Sequence, residues 1–268
     1  MKRLILGAFL ATSMAVSAMA DEMKMAVTTS FHNSGLSDVL LPAIKSDLGL
    51  DVQLLVVGTG QALRLGAAGD VDAILVHSRK AEEKFLAEGN GTHRREIMYN
   101  DFVFIGPKAD AAGISAATSA ADALKRVSEA RAAFVSRGDD SGTHKKELSL
   151  WSGAGLDAEG FGDWYRAVGA GMGAALNTAS GMDAYIMSDR ASWLNFANKG
   201  GLALLYAGDP VLFNQYAFIP VNPAKHAHVK TDLAAKLEAW LVSDTAKELI
   251  NGYQINGETL FVFNAKAK

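Results

Sequence analysis

The 268-residue chain contains no cysteine. Disulfide bonds, thiolate zinc sites, iron–sulfur clusters and thiol nucleophiles are thereby excluded. So is the lipid-bearing cysteine that would tether an exported protein to a membrane. Positive charge is in short supply: 26 Lys and Arg against 29 Asp and Glu give a formal net charge of −3. Such a chain has no overall attraction for nucleic acid or an anionic bilayer. An anion bound here must be held by local groups, against the average field of the protein. Apolar runs that reach the roughly 20 residues needed to span a bilayer are missing, since Leu4 to Val16 is too short and is interrupted by Gly7, Thr12 and Ser13. Proline is limited to five residues, expected mostly at element ends, and repeats and low-complexity tracts are absent.

What is present begins with an export signal. Lys2 and Arg3 precede the apolar stretch, Ala18-Met19-Ala20 gives a small-x-small cleavage pattern, and Asp21 opens a polar segment. This is the pattern of a secretory signal peptide over residues 1–20, with cleavage expected after Ala20. The mature chain then carries a formal charge of −5, because Lys2 and Arg3 are lost. With no cysteine to lipidate, a free periplasmic protein is expected.

The 268-residue sequence is 49% hydrophobic, enough for one large core or two smaller ones. Short apolar runs alternate with amphipathic stretches. Strands are expected at Met23 to Val27, Val52 to Val57 and Val71 to Val76, with helices at Ser37 to Asp47 and Gln61 to Ala68, a β-α-β-α-β unit. Further strands are expected at Phe102 to Ile105, Ala133 to Val135, Leu202 to Tyr206 and Tyr216 to Val221. Helices are expected at Asp122 to Ala132, His144 to Trp151, Thr231 to Leu241 and Asp244 to Asn251. Gly153 to Gly173 reads as loop with a short helix. The pattern predicts an α/β protein of two lobes, each a mixed, mostly parallel sheet flanked by helices, with ligand in the cleft between them. The first lobe comprises residues 21–102 and 218–268, the second 103–217, and the chain crosses near Asn100 to Phe102 and near Tyr216 to Pro220.

Three strand-to-helix turns carry the chemistry. Thr28-Thr29-Ser30 leads through Asn33-Ser34-Gly35 into a helix, Gly58-Thr59-Gly60 precedes another, and Ser136-Arg137-Gly138-Asp139-Asp140-Ser141-Gly142-Thr143 precedes a third. Such turns lie at the carboxyl ends of parallel strands, where ligands bind. Free N–H groups at a helix start, the positive end of its dipole, glycines and hydroxyls together suit an anion. In any one turn, capping is the commoner role of these residues. Three in one chain, one with an arginine able to donate a planar pair of hydrogen bonds, point instead to an oxyanion. Asp139 and Asp140 either hold Arg137 in place or neutralise it.

At these residues the sequence resembles the periplasmic tungstate-binding proteins of ABC-type importers. The resemblance runs through Thr28-Thr29-Ser30 with Ser34-Gly35-Leu36, and through Val57-Gly58-Thr59-Gly60-Gln61-Ala62-Leu63. It continues through Gly69-Asp70-Val71-Asp72 to His77, Met98-Tyr99-Asn100-Asp101-Phe102-Val103 to Gly106-Pro107, and Ser136 to His144. Tyr185 to Ser188-Asp189-Arg190, Gly208-Asp209-Pro210, Leu212-Phe213-Asn214 and Val221-Asn222-Pro223 complete it. The resemblance implies a type II periplasmic-binding fold closing on tungstate or molybdate, with no cofactor, and delivery by a monomer to an ABC permease. It places oxyanion donors at Thr28, Thr29, Ser30, Thr59, Gly60, Arg137, Ser141, Gly142 and Thr143, with Ser180 and Gly181 as additional candidates. The family opens with three threonines, and Val27 stands in the first place here; strand alternation should face it away from Thr28. Both dianions are fully deprotonated at neutral pH and ask only for donors. Sulfate is a further candidate ligand.

Three other signals are weaker. Gly169-Ala170-Gly171-Met172-Gly173-Ala174 matches a loose dinucleotide fingerprint without a convincing strand before it. Ser141 and His144 invite an ester-hydrolase reading that lacks an evident orienting acid. His226 and His228 lie in what reads as a solvated loop, and the four tryptophans as packing.

Overall fold

In the computed structural model the described residues are 21–266, so the export signal and its cleavage after Ala20 lie outside them. The chain opens with β1 (Asp21–Thr28), α1 (Thr29–Asn33), α2 (Leu36–Leu48), β2 (Leu50–Val57), α3 (Thr59–Ala68), β3 (Ala73–Val76), α4 (Arg79–Ala87) and β4 (Arg95–Pro107). There follow α5 (Ala120–Ala130), β5 (Phe134–Ser136), α6 (Gly142–Gly153), β6 (Tyr165–Ala167), α7 (Met172–Met182), β7 (Tyr185–Asp189), α8 (Arg190–Asn195) and β8 (Leu202–Tyr206). Last come β9 (Phe213–Pro220), α9 (Thr231–Leu241), α10 (Asp244–Gly252), β10 (Gln254–Ile255), β11 (Glu258–Thr259) and β12 (Val262–Phe263).

β4 is the seam of the molecule. Its first part, Arg95 to Asp101, pairs antiparallel with β9, and its second part, Phe102 to Pro107, pairs with β7 and β8. In the first half β1 lies between parallel β2 and β3, and β9 joins β3 to β4. In the second half β5 lies between parallel β6 and β7. Strand alternation divides each half's core between two faces. Met25, Val27 and Leu75 face Leu40 and Leu237, whereas Ala26, Ile74 and Val76 face Ala62 and Phe85. Phe104, Phe134 and Met187 pack on Leu124 and Trp151, whereas Val103, Val135 and Ile186 pack on Leu176 and Ala179. Each large side chain buried this way contributes about 1.5–3 kcal/mol.

Several features depart from the sequence expectation. α4, α8, β7 and most of α7 occupy stretches with no element assigned, and β6, directly before the glycine-rich segment at Gly169, stands where loop with a short helix was expected. Pro42 lies inside α2 rather than at an end. β9 pairs with β3 and with the first part of β4 along its whole length, Phe213–Pro220. Trp151 and Trp193 are core residues of the second half, Trp164 packs beside Trp151, and Trp240 belongs to the first-half core. Among the described residues no helix is long and apolar enough to cross a membrane.

Candidate oxyanion site

The first wall is built where β1, β2 and β3 end. Thr28 caps α1, its Oγ1 accepting the Phe31 N–H at 3.3 Å. Ser30 Oγ, buried behind it, lies 3.0 Å from Thr28 Oγ1, 3.1 Å from His77 Nε2 and 3.2 Å from Tyr216 Oη. α3 starts without a side-chain cap after Gly58, and its first helical bond is Ala62 N–H to Gly58 carbonyl. The N–H groups of Thr59, Gly60 and Gln61 therefore precede the helical ladder. Thr59 Oγ1 is enclosed and has no protein partner.

The second wall is the loop from β5 to α6. Gly138 at φ 61° and Asp140 at φ 57° turn it back on itself. A Cβ on Gly138 would stand 2.7 Å from Ala167 Cβ, which adds a close approach to the left-handed backbone. Ser141 caps α6, its Oγ accepting the His144 N–H at 3.2 Å. Arg137 is only 5% exposed. Its Nη2 donates to Asp139 Oδ2, and Asp139 Oδ1 accepts the Ser141 N–H at 3.2 Å. Burial opposes ionisation of Asp139, but the Ser141 and Arg137 contacts outweigh it and hold the carboxyl below its ordinary range. Asp139 thus braces the arginine, while Asp140, at the rim of the cleft, has its carboxylate paired with Lys145. Arg137 Nε and Thr143 Oγ1 are enclosed without a protein partner.

The walls meet at Gly142. A Cβ there would lie 2.7 Å from His77 Cε1 and 3.0 Å from Thr59 Oγ1, so the start of α6 abuts the start of α3. Beside this contact opens a cleft of about 530 Å³ lined by Thr29, Gly60, Arg137 and Ser141, and by the uncapped start of α7 at Gly171 to Ala174. The Ala170 N–H donates to the Arg137 carbonyl at 3.2 Å and ties that start to the arginine loop. Arg64 and Asp140 also line the cleft.

Of the residues expected at the site, Thr29, Gly60, Arg137 and Ser141 line this cleft, and Thr28, Ser30, Thr59, Gly142 and Thr143 are buried in its walls. Ser180 and Gly181 are not brought to it. They sit in the last turns of α7, where Ser180 Oγ neighbours Gly200. Val27 is fully buried in the first-half core, away from the cleft. Four contributors escaped the sequence reading. The α7 start and Arg64 line the cleft, His77 joins the two walls, and Asp189 is a fully buried carboxylate capping α8. Burial raises the pKa of Asp189, against the Ser192 hydrogen bonds and the Arg137 charge. The only signals for Asp189 and His77 were their places in segments of the resemblance, Tyr185 to Arg190 and Gly69 to His77, with no role attached to either.

The remaining motifs resolve simply. Ser141 Oγ faces the His144 backbone, while His144 Nδ1 accepts the Asp140 N–H at 3.2 Å, so the ring is not placed as a base for the serine. His226 and His228 bond the Ala67 and Gly69 carbonyls at the end of α3, each at 2.8 Å. Among the described residues no group of three or more His, Asp or Glu is placed to hold a metal ion.

Two parallel-stranded halves joined by a shared strand, with uncapped helix starts around a cleft, define a solute receptor of the periplasmic-binding type. The chain belongs to the PBP superfamily, whose domain model matches residues 15–245. Within it, the chain is 44% identical over 245 residues to the tungstate-binding protein TupA of Peptoclostridium acidaminophilum, covering 90% of this chain and 85% of that one. Among solved structures, the tungstate-binding protein TupA from Desulfovibrio alaskensis G20 superposes with a TM-score of 0.84 at 42% identity, covering 92% of this chain and all of that one. The tungstate ABC transporter protein from Geobacter sulfurreducens gives 0.80 at 47% identity, covering 87% and 98%.

Proposed function

We propose that this protein is a periplasmic receptor that captures tungstate and delivers it to the permease of an ABC importer. The observation that carries the reading is a set of enclosed donors without protein partners, Thr59 Oγ1, Thr143 Oγ1 and Arg137 Nε, set in two walls that touch at Gly142. Buried donors left unpaired are costly, and a tetrahedral oxyanion supplies acceptors on every side. The names carried by relatives at 42–47% identity favour tungstate as that oxyanion. Thr28, Thr29, Ser30, Thr59, Gly60, Arg137, Ser141, Gly142 and Thr143 form the binding set in this reading, joined by the N–H groups at the start of α7. Charge-assisted hydrogen bonds contribute about 1.5–3 kcal/mol each. Six or seven give roughly 9–20 kcal/mol before ordering costs, and nanomolar affinity corresponds to about 12 kcal/mol.

The two halves act as lobes that hinge at β4 and at residues 207–212, closing on the ligand and opening for release. Both walls come from one chain, so a monomer suffices. Export with cleavage after Ala20 puts the mature protein in the periplasm without a lipid anchor. The protein binds rather than hydrolyses, in keeping with the His144 ring being committed to the Asp140 N–H. Calorimetric titration of dialysed protein with tungstate, molybdate, sulfate and phosphate tests the reading. Tight binding of tungstate is expected, and no heat with any of the four would overturn it. Robust ester turnover abolished by Ser141→Ala would favour the hydrolase instead.

A further inference from the structure

Ser30 occupies a junction that decides which way the hydroxyl protons of the first wall point. A hydroxyl has one proton and two lone pairs, and Ser30 Oγ has three polar neighbours: His77 Nε2, Tyr216 Oη and Thr28 Oγ1, all within 3.2 Å. Whichever neighbour receives the Ser30 proton fixes the polarity of the rest. Tyr216 is fully buried among the rings of Phe31, His77 and Phe261. Burial pushes its phenol well above the ordinary value, so Tyr216 keeps its proton; Ser30 Oγ is its partner at 3.2 Å, with Thr28 and Asn100 close by. Burial also drives the His77 pKa down to about 4, against the pull of its own carbonyl and in concert with the Arg137 charge, while Asn214 opposes. The imidazole is therefore neutral at pH 7 and carries one proton. On Nδ1 that proton would be enclosed with no well-aligned acceptor, its own carbonyl being near but outside hydrogen-bonding geometry. On Nε2 it meets Ser30. An enclosed N–H without an acceptor is the vacancy folded proteins tolerate least.

We propose that His77 is a positioning residue: as the Nε2–H tautomer it donates to Ser30 together with Tyr216, sending the Ser30 proton to Thr28 and the Thr28 proton to the bound oxyanion. Thr28 Oγ1 already accepts the Phe31 N–H, so with Ser30 donating as well, its own proton is left to choose between Tyr216 Oη nearby and the more strongly accepting bound oxyanion. All hydroxyl protons along the line then point one way. The wall presents donors only, which favours an oxyanion bearing no proton over hydrogen phosphate, whose P–OH asks for an acceptor. This inference rests on the oxyanion reading given above.

The test uses the mature chain labelled with ¹⁵N-histidine. At pH 7, with and without tungstate, Nε2 of His77 is expected to show the shift of a protonated ring nitrogen and Nδ1 that of a bare one. In calorimetry, His77→Leu should weaken tungstate binding at least tenfold and narrow the preference for tungstate over phosphate. His77→Gln, which can return an N–H donor to the Nε2 position, should restore affinity to within threefold. Thermal melts establish that both variants fold; should the Leu variant fail, the tautomer and the Gln variant decide. An Nδ1–H tautomer, or a folded Leu variant with unchanged affinity and preference, would overturn the proposal. A wild-type protein silent toward all oxyanions would sink the proposed function and this role with it, an outcome distinct from a wrong tautomer in a protein that binds.

Discussion

The buried depth of the first wall holds neutral groups, the hydroxyls of Thr28, Ser30 and Thr59 with His77 and Tyr216 behind them, and its one cation at the cleft, Arg64, stands a turn further along α3. The second wall buries its formal charge, Arg137 braced by Asp139. The contrast separates two tasks. A buried charge needs a partner when no ligand is present, and Asp139 provides one without covering Arg137 Nε. Neutral hydroxyls need no counter-charge and can stay fixed in orientation. In the proposed function, the buried charge on one side supplies most of the attraction and the neutral hydroxyls on the other supply the discrimination.

Substitutions that strike one wall at a time sharpen this contrast. Arg137→Ala removes the charged donor and leaves Asp139 without its partner; affinity for tungstate should fall about 100-fold, or ~2.7 kcal/mol, by calorimetry. Gly142→Val places carbon where His77 Cε1 would be 2.7 Å away. About a tenfold loss is expected, with no compaction on adding tungstate in small-angle scattering. Thr143→Val deletes one neutral donor, worth about 1 kcal/mol, and should weaken binding about fivefold with little change in stability.

Glu147 breaks the symmetry of the two cores in another way. The buried acid of the first half, Glu82, is held by Arg94 at 2.6 Å. Glu147 has only neutral partners, Trp151 Nε1 and Tyr165 Oη, and burial lifts its pKa to about 7. A raised folded-state pKa favours the protonated form. Its stabilising effect is full below the unfolded-state value and is lost as pH rises through about 7. Glu147→Gln should abolish that loss, melting higher than wild type at pH 8 and equally at pH 4, as read by calorimetric scans. The smallest effect on binding is expected from Val27→Thr. Val27 lies in the core, so affinity should change less than twofold while stability drops by about 1–3 kcal/mol.

The sequence showed the first half more clearly than the second. Runs such as Val52 to Val57 and Val71 to Val76 are apolar because their strands are covered on both sides. α4 was invisible because Arg79–Ala87 buries just Glu82 and Phe85, and a buried ion-paired glutamate breaks an apolar period. α7 was hidden by Gly173 and Gly181 within it. β7 ends in Ser188 and Asp189, buried polar residues that read as a turn. β9 begins earlier than its apolar part, Tyr216 to Ile219, suggests, because its polar start at Asn214 and Gln215 already belongs to the strand. At the site, hydroxyl and glycine turns were legible because their local sequence makes the helix starts. His77 and Asp189 were not, since their importance comes from what distant strands set beside them.

The shared strand has a consequence for how the molecule comes apart. β4 supplies hydrogen-bonding partners to β9 on one side of Asp101 and to β7 and β8 on the other. A two-toothed clamp from Arg190 to Asp101, at 2.8 and 2.6 Å, locks that midpoint. Melting either half strips backbone partners from a strand the other half needs. Heat or denaturant should therefore dissolve the protein in one cooperative step, with excised halves unable to persist as independent bodies.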